Sequence, residues 1–281
     1  MRIGILGRGF GIYGYLPACH ELGWEVHTLR VYKKSITARG ELIKFERDIQ
    51  YEDNDLEVIS NVDALVIARD PSSQAKFILK NIGKLQRVYL EKPLGVTSPQ
   101  NAEIVQLLSM NKIDFSIGYL FPYLSWYQDI LVQFLDINSN IVIDWGVLRP
   151  RAEWKSNSTS GGGLVNFYFV HFAPLIFDLD LDLSGVNFSS ERVQFRFVGG
   201  NRCSIEINLF FSNAASFSVM KSVDWKIFEA DSPFSELPRQ GSLDPRVPYI
   251  KEYLIDKTLG SIGGRSLSLE SVSSRIRSLA E

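Results

Sequence analysis

Cysteine is nearly missing from this sequence: Cys19 and Cys203 are the two in 281 residues. They lie far apart and form neither a metal-ligand set nor a redox pair, so a disulfide framework and a thiolate metal centre are excluded, and no disulfide is expected. No uninterrupted run of about 18 apolar residues is present, the length that spans a bilayer as a helix. Met1–Phe10 (MRIGILGRGF) enters a glycine turn after a short apolar run, too short for the apolar core of a signal peptide. Charge of one sign is missing as well: 30 Lys and Arg against 32 Asp and Glu leave a net charge of -2. That balance gives no general attraction to nucleic acid or to an anionic membrane. Cytoplasmic residence is the expectation, with neither a nucleic-acid nor a membrane partner.

Hydrophobic residues make up 45% and charged residues 22%, an ordinary soluble composition with ample core material. Domains run to roughly 100–200 residues, so 281 residues predict two. Apolar runs at 2–6, Glu25–Val31, Val62–Ala68, Arg87–Leu90 and Asp114–Gly118 read as strands. Helical stretches fall between them: one from the glycine turn to Leu22, then Thr37–Glu46, one from the Arg69–Ser73 turn to Lys80, and Ser98–Met110. Ser98 is the expected N-cap of the last, with Pro99 at its first position. Arg47–Glu57 reads as a polar connection. Strands alternating with helices predict a doubly wound α/β domain over residues 1–117. After that the pattern changes. Asn140–Leu148, Arg192–Val198, Ser204–Phe211, Ala215–Met220 and Val223–Glu229 read as longer strands, with helices near Leu164–Leu175 and Ser268–Leu279. Residues 118–281 are therefore expected to form an α+β domain with an open, mainly antiparallel sheet.

The first strand runs into Gly7-Arg8-Gly9-Phe10-Gly11-Ile12-Tyr13-Gly14. A dinucleotide site needs a tight turn, close backbone approach to the pyrophosphate, and a helix N-terminus aimed at it. Gly7 and Gly9 suit the first two needs. Ile12 breaks the GxGxxG spacing, so Gly11 or Gly14 lets the helix approach the sheet, or the loop is one residue longer. A second element, Val88-Tyr89-Leu90-Glu91-Lys92-Pro93-Leu94, ends a strand in Glu-Lys-Pro. A charge pair at a strand end is ordinarily solvated. This one ends a fifth strand, and ligands bind outside the carboxyl ends of strands in open α/β sheets.

These elements, with VDALVIA, Gly118–Pro122, and Trp154 followed by Gly161-Gly162-Gly163 and His171, resemble the Gfo/Idh/MocA oxidoreductase family across most of the chain. The resemblance implies a Rossmann domain followed by an open antiparallel sheet, a nicotinamide cofactor, and Lys92 and His171 at the reacting centre. It also implies a sugar, nucleotide-sugar or polyol-like substrate. Two positions depart from the family pattern. The usual Asp before the His falls on Phe167, with Asn166 next door, and Gln74 stands where many members carry His. The imidazole then needs another partner to fix its tautomer: Tyr168, Asn166, Tyr119 or a backbone carbonyl. The Phe167 departure keeps two alternatives open: a non-catalytic dinucleotide-binding regulator of this fold, and a reductase of an imine or tetrapyrrole.

NADP is the expected cofactor, with NAD possible. The second strand has no acid at its end to accept from a ribose 2′-hydroxyl. Lys33 and Lys34 supply positive charge there, with Arg8 as a further cation and Tyr32 placed to stack near the adenine. The expected cofactor set is Gly7, Arg8, Gly9, Phe10, Gly11, Tyr32, Lys33, Lys34, Glu91 and Lys92. His20 and His27 read as structural or exposed. Asp178, Asp180 and Asp182 superficially match a calcium loop, but Leu183 and Ser189 occupy its Gly and Glu positions, so no metal site is expected. The Phe- and Trp-bearing strands predict a homodimer or homotetramer through the C-terminal sheet.

Overall fold

A computed structural model describes residues 1–134, 139–150, 153–189, 191–222, 225–236, 242–259 and 263–278. Strand β1, Arg2–Leu6, is buried from Ile3 onward, as a strand covered on both faces must be. β2 (Glu25–Leu29), β3 (Ile49–Glu52), β4 (Ala64–Ile67), β5 (Arg87–Leu90) and β6 (Asp114–Ile117) pair with it in one parallel sheet, order β3-β2-β1-β4-β5-β6. The order reverses between β1 and β4, the switch point at which doubly wound sheets open toward a ligand. A π-helical turn, Gly11–Tyr15, leads into helix Leu16–Glu21 after β1. Helices Lys33–Thr37, Asp55–Asn61, Pro71–Asn81 and Ser98–Met110 make the later connections.

Several boundaries differ from expectation. β2 ends at Leu29, a 3-10 turn follows over Arg30–Tyr32, and Lys33-Lys34 open a helix. The helix expected over Thr37–Glu46 instead ends at Thr37, and a 3-10 stretch covers Ile43–Asp48. The polar segment Arg47–Glu57 contains β3 and the start of helix Asp55–Asn61, which Asn54 caps by accepting from Leu56 and Glu57 N–H. Four residues are too few to show a period. The N-cap of Ser98–Met110 is Thr97, whose hydroxyl accepts from Gln100 N–H, so Ser98 is the first helical residue.

The second sheet holds β7 (Asn140–Leu148), β8 (Asp182–Phe188), β9 (Arg192–Val198), β10 (Ser204–Ser212), β11 (Ser216–Ser222) and β12 (Trp225–Ala230), order β12-β11-β7-β10-β9-β8. It is antiparallel except for the β7–β10 pair. β12 was expected from Val223; residues 223 and 224 lie outside the described set, as does Leu279 of the closing helix. Period-two alternation puts Ile143, Trp145, Phe195, Phe197, Ile207, Leu209 and Phe217 on a buried face. The opposite face carries Asp144, Gln194, Glu206 and Asn208, with Asn208 donating to Asp144 at 2.9 Å and to Glu206 at 3.1 Å. These aromatic residues of the strands thus fill the unit's own core. Asp178 ends helix Ala173–Asp178 and accepts from the Tyr127 hydroxyl at 2.7 Å, while Asp182 opens β8.

The chain divides into two compact units, Met1–Gly118 with Pro238–Leu267, and Tyr119–Leu237 with Ser268–Glu281. Helix Val247–Leu259 belongs to the first unit, where Lys251 pairs with Glu21 at 2.9 Å and the Tyr89 hydroxyl meets that of Thr258 at 2.9 Å.

Candidate dinucleotide and active site

A Cβ at Gly7 would stand 2.2 Å from the Ala68 carbonyl oxygen, just past the end of β4, so only glycine fits where β1 turns. At Gly11 it would meet Ile5 Cγ2 at 3.2 Å and Ala68 Cβ at 3.4 Å, whereas at Gly14 it would strike the Phe10 ring at 2.3 Å. Gly11 therefore takes the close helix–sheet approach, and Gly14 makes room for Phe10. Gly9 has no neighbour within 4 Å of where its Cβ would be, and its carbonyl accepts from Ile12 N–H at 2.9 Å. The loop thus presents open backbone at a helix start, which fits a pyrophosphate. Phe10 packs on Tyr13 and Tyr15 at 5.5 and 5.4 Å, and the Arg246 guanidinium lies 3.9 Å from its ring centre.

The residues after β2 divide. Arg8 donates to the Ser35 hydroxyl at 2.9 Å, and Lys34 is exposed. Lys33 turns instead to Glu46 at 2.7 Å and lies over the Tyr51 ring. Tyr32 is 8% exposed. Burial raises its pKa, and its hydroxyl bonds Arg69, so its ring is core. Arg30 follows β2 directly, where an NAD-type acid would stand, and bonds Asp53 at 2.6 Å and the Tyr51 carbonyl at 3.0 Å. Arg30 is hidden in the sequence because the strand-like run continues to Val31, two residues past the end of β2.

β5 delivers Glu91 and Lys92 at the carboxyl end of the sheet, and the Lys92–Pro93 peptide is cis. Lys92 is 7% exposed. The buried Tyr15 hydroxyl donates to Glu91 Oε1 at 2.7 Å. Burial, then the Glu91 charge, pushes the Tyr15 pKa well up, so the phenol stays a donor. The Gln74 amide donates to the Glu91 carbonyl at 2.6 Å and faces the Pro93 and Leu94 carbonyls at 3.3 and 3.4 Å. In the sequence Gln74 stands out only as a departure from the family pattern, and no motif marks Tyr15.

In the second unit, the Gly161 to Gly163 run has a local cause. Gly161 and Gly163 have φ of 79° and 81°, and a Cβ at Gly162 would lie 1.9 Å from the Trp154 carbonyl oxygen. A π-helical turn, Leu164–Tyr168, follows, then a 3-10 turn over Phe169–Phe172 that carries His171. The imidazole stacks on Phe121 at 4.9 Å, with Trp145 at 5.8 Å and Phe234 at 6.1 Å. Asn166 accepts from Arg277 at 3.1 Å and donates to the Ser158 carbonyl at 3.3 Å. Tyr119 donates to Glu270 at 3.2 Å. Asn166 and Tyr119, two of the expected partners of the imidazole, are thus engaged with other groups. Tyr168 packs edge-on against Trp145 at 5.5 Å, and burial pushes its hydroxyl up to about 12. Phe167 packs between Trp154 at 5.4 Å and the Lys155 ammonium at 5.0 Å. His27 lies between Glu52 at 2.9 Å and Glu25 at 3.2 Å, and His20 meets Asp48 at 3.1 Å.

No family model matches the sequence, nor does any curated protein. Solved structures do match. A Gfo/Idh/MocA family oxidoreductase from Vibrio cholerae superposes with a TM-score of 0.68 at 12% identity, over 100% of this chain and 98% of that one. The fold is that of the Gfo/Idh/MocA oxidoreductases. The WlbA (WbpB) dehydrogenase from Thermus thermophilus, solved in complex with NAD and UDP-GlcNAcA, has the same fold, with a TM-score of 0.72 at 14% identity over 100% and 94% of the two chains. So does a super-repressor mutant of Gal80p from Saccharomyces cerevisiae, with a TM-score of 0.70 at 14% identity over 100% and 95%. Within the Gfo/Idh/MocA fold of this chain, the glycine loop and the EKP segment occupy carboxyl ends of strands in one sheet. Among the described residues no helix is long and apolar enough to cross a membrane, and no three His, Cys, Asp or Glu side chains cluster to hold a metal.

Proposed function

We propose that this protein is an NAD(P)-dependent oxidoreductase that prefers NADP(H) and acts on a sugar, nucleotide-linked sugar or polyol-like small molecule. The observation that carries the reading is the glycine turn: Gly7 is packed too closely for a side chain, Gly11 lies close against Ile5 and Ala68, and Gly9 leaves its backbone open. Arg8 with Ser35, together with exposed Lys34, offers donors and positive charge for a 2′-phosphate, with no carboxylate directly after β2 to repel it. Lys33, spent on Glu46, and Arg30, spent on Asp53, leave this set. The nicotinamide supplies or accepts the hydride. Lys92 orients the substrate oxygen and holds positive charge beside it, and His171 moves the proton. WlbA, solved with NAD and UDP-GlcNAcA, makes a nucleotide sugar the natural first substrate class to test. In this proposal the first unit, Met1–Gly118 with Pro238–Leu267, binds the dinucleotide, and the second unit binds substrate and forms the homo-oligomer through the outer face of its sheet.

Phe167 favours a second reading, a dinucleotide-binding regulator without turnover. It packs between the Trp154 indole and the Lys155 ammonium, at the position where the family resemblance implies a carboxylate. Calorimetric titration with NADP(H) and NAD(H) at one ionic strength tests the proposal. Tighter binding of NADP(H) is expected. Binding of neither sinks the reading, and binding without turnover on any nucleotide sugar moves it to the second.

A further inference from the structure

We propose that Gln74 and Tyr15 are positioning residues that clamp the EKP turn from two sides and so fix where the Lys92 ammonium stands. The proposal rests on the reading of Lys92 as the reacting lysine. Each half of the clamp acts on Glu91, one at the backbone and one at the side chain. Gln74 comes from helix Pro71–Asn81, which Asp70 caps by accepting from Ser73 N–H at 3.0 Å, so its backbone is anchored within the first helical turn. It is fully buried, and three backbone carbonyls converge on its amide nitrogen. That convergence settles the orientation of the amide, since an oxygen turned toward three carbonyl oxygens would be repelled. The turn thus dictates how Gln74 points.

Tyr15 grips the other end of Glu91. Its ring is fully buried on the helical segment that begins at the glycine loop. A Cβ at Gly118 would lie 2.7 Å from its hydroxyl and 2.9 Å from Glu91 Oε1, so the sheet edge is trimmed to let the two meet. With the Glu91 carbonyl and carboxylate both tied, the chain enters Lys92 along one path. On the far side, Asn101 accepts from Gly95 N–H and Gln100 from Val96 N–H, each at 2.7 Å. Lys92 is the residue between these anchors whose long side chain has a reach worth fixing. The chemistry asks for this: a lysine on a four-carbon stem is a mobile point charge, and a site gains from it only when its base is immobile.

The test reads the lysine without cofactor or substrate. Acylation of amines by acetic anhydride is followed peptide by peptide by mass spectrometry, with exposed Lys34 as the reference rate and the buried Cys19 thiol reporting any unfolding of the unit. Gln74→Leu keeps bulk and removes the donors, Gln74→His returns one ring N–H, and Tyr15→Phe deletes a single oxygen. Lys92 acylation relative to Lys34 is expected to rise about tenfold in Gln74→Leu and about threefold in Tyr15→Phe, to fall back toward wild type in Gln74→His, and to leave Cys19 protected. If Gln74→Leu does not fold, Tyr15→Phe and Gln74→His carry the comparison. Unchanged Lys92 rates, or rates that rise only in step with Cys19, overturn the clamp. Failure of wild-type protein to bind either dinucleotide overturns the functional reading and leaves the labelling result standing, so the two failures are distinct.

Discussion

Lys92 is 7% exposed yet sits beside a carboxylate whose charge is already engaged by Tyr15. Losing a positioned charged donor in a dry site costs about 3–4 kcal/mol in the barrier. Lys92→Ala is therefore expected to lower turnover by two to three orders of magnitude while changing the melting temperature little; a mutant with near wild-type kcat removes Lys92 from the centre. Arg8 is the residue on which the cofactor preference can be read most cleanly, because its bond to Ser35 is exposed. A charge-assisted hydrogen bond contributes about 1.5–3 kcal/mol. Arg8→Ala should weaken NADP(H) roughly tenfold or more in calorimetry and leave NAD(H) nearly unchanged. Equal weakening of both would place Arg8 on the pyrophosphate instead.

At the scale of elements, the glycine turn and the N-caps make the sharpest expectations. Gly7→Ala drives a methyl against the backbone of Ala68, which has no flexible end to move aside. A marked fall in melting temperature together with loss of dinucleotide binding is expected, and an unperturbed variant would refute the close approach. Thr97→Ala removes the side-chain acceptor of helix Ser98–Met110 and should cost about 1 kcal/mol in urea denaturation. The sequence names Ser98 for that role because Ser is the somewhat better cap and the two stand side by side; only geometry separates them. The same limit recurs elsewhere. β1, β4 and β5 were legible because parallel strands buried on both faces read as plain apolar runs. β3, four residues with one buried, offers no such run. The EKP turn and the GGG segment were visible as motifs, but Tyr15 and Gln74 were not, since their work depends on backbone carbonyls and a carboxylate brought together only by folding. Phe167 was legible as a departure, and its packing against Trp154 now gives that departure a structural setting.

The whole molecule carries carboxylates tuned in the same direction in both units, and that sets its response to acid. In the first unit, hydrogen bonds from His27 and then Asn61 hold Glu52 below its ordinary pKa, and Arg2 does the same for Asp63. In the second, burial pushes Glu206 up, but bonds from Asn208, Arg196 and Gln194 outweigh it and leave it lowered. A carboxylate whose folded-state pKa is depressed contributes stability that is fully present above its unfolded pKa and is lost as pH falls through its folded pKa. The window therefore opens near pH 4.5, where free Glu titrates, and extends downward. Because Glu52 and Glu206 belong to different compact units, each should govern the acid response of its own unit. Scanning calorimetry between pH 7 and pH 3 is expected to show melting temperatures that are flat above pH 5 and fall steeply below it. Glu206→Gln should flatten that fall for the transition of the second unit alone, and Glu52→Gln for that of the first. If both variants lose melting temperature with acid as steeply as wild type, these carboxylates do not carry the pH dependence; if either variant flattens the whole profile, the two units unfold as one.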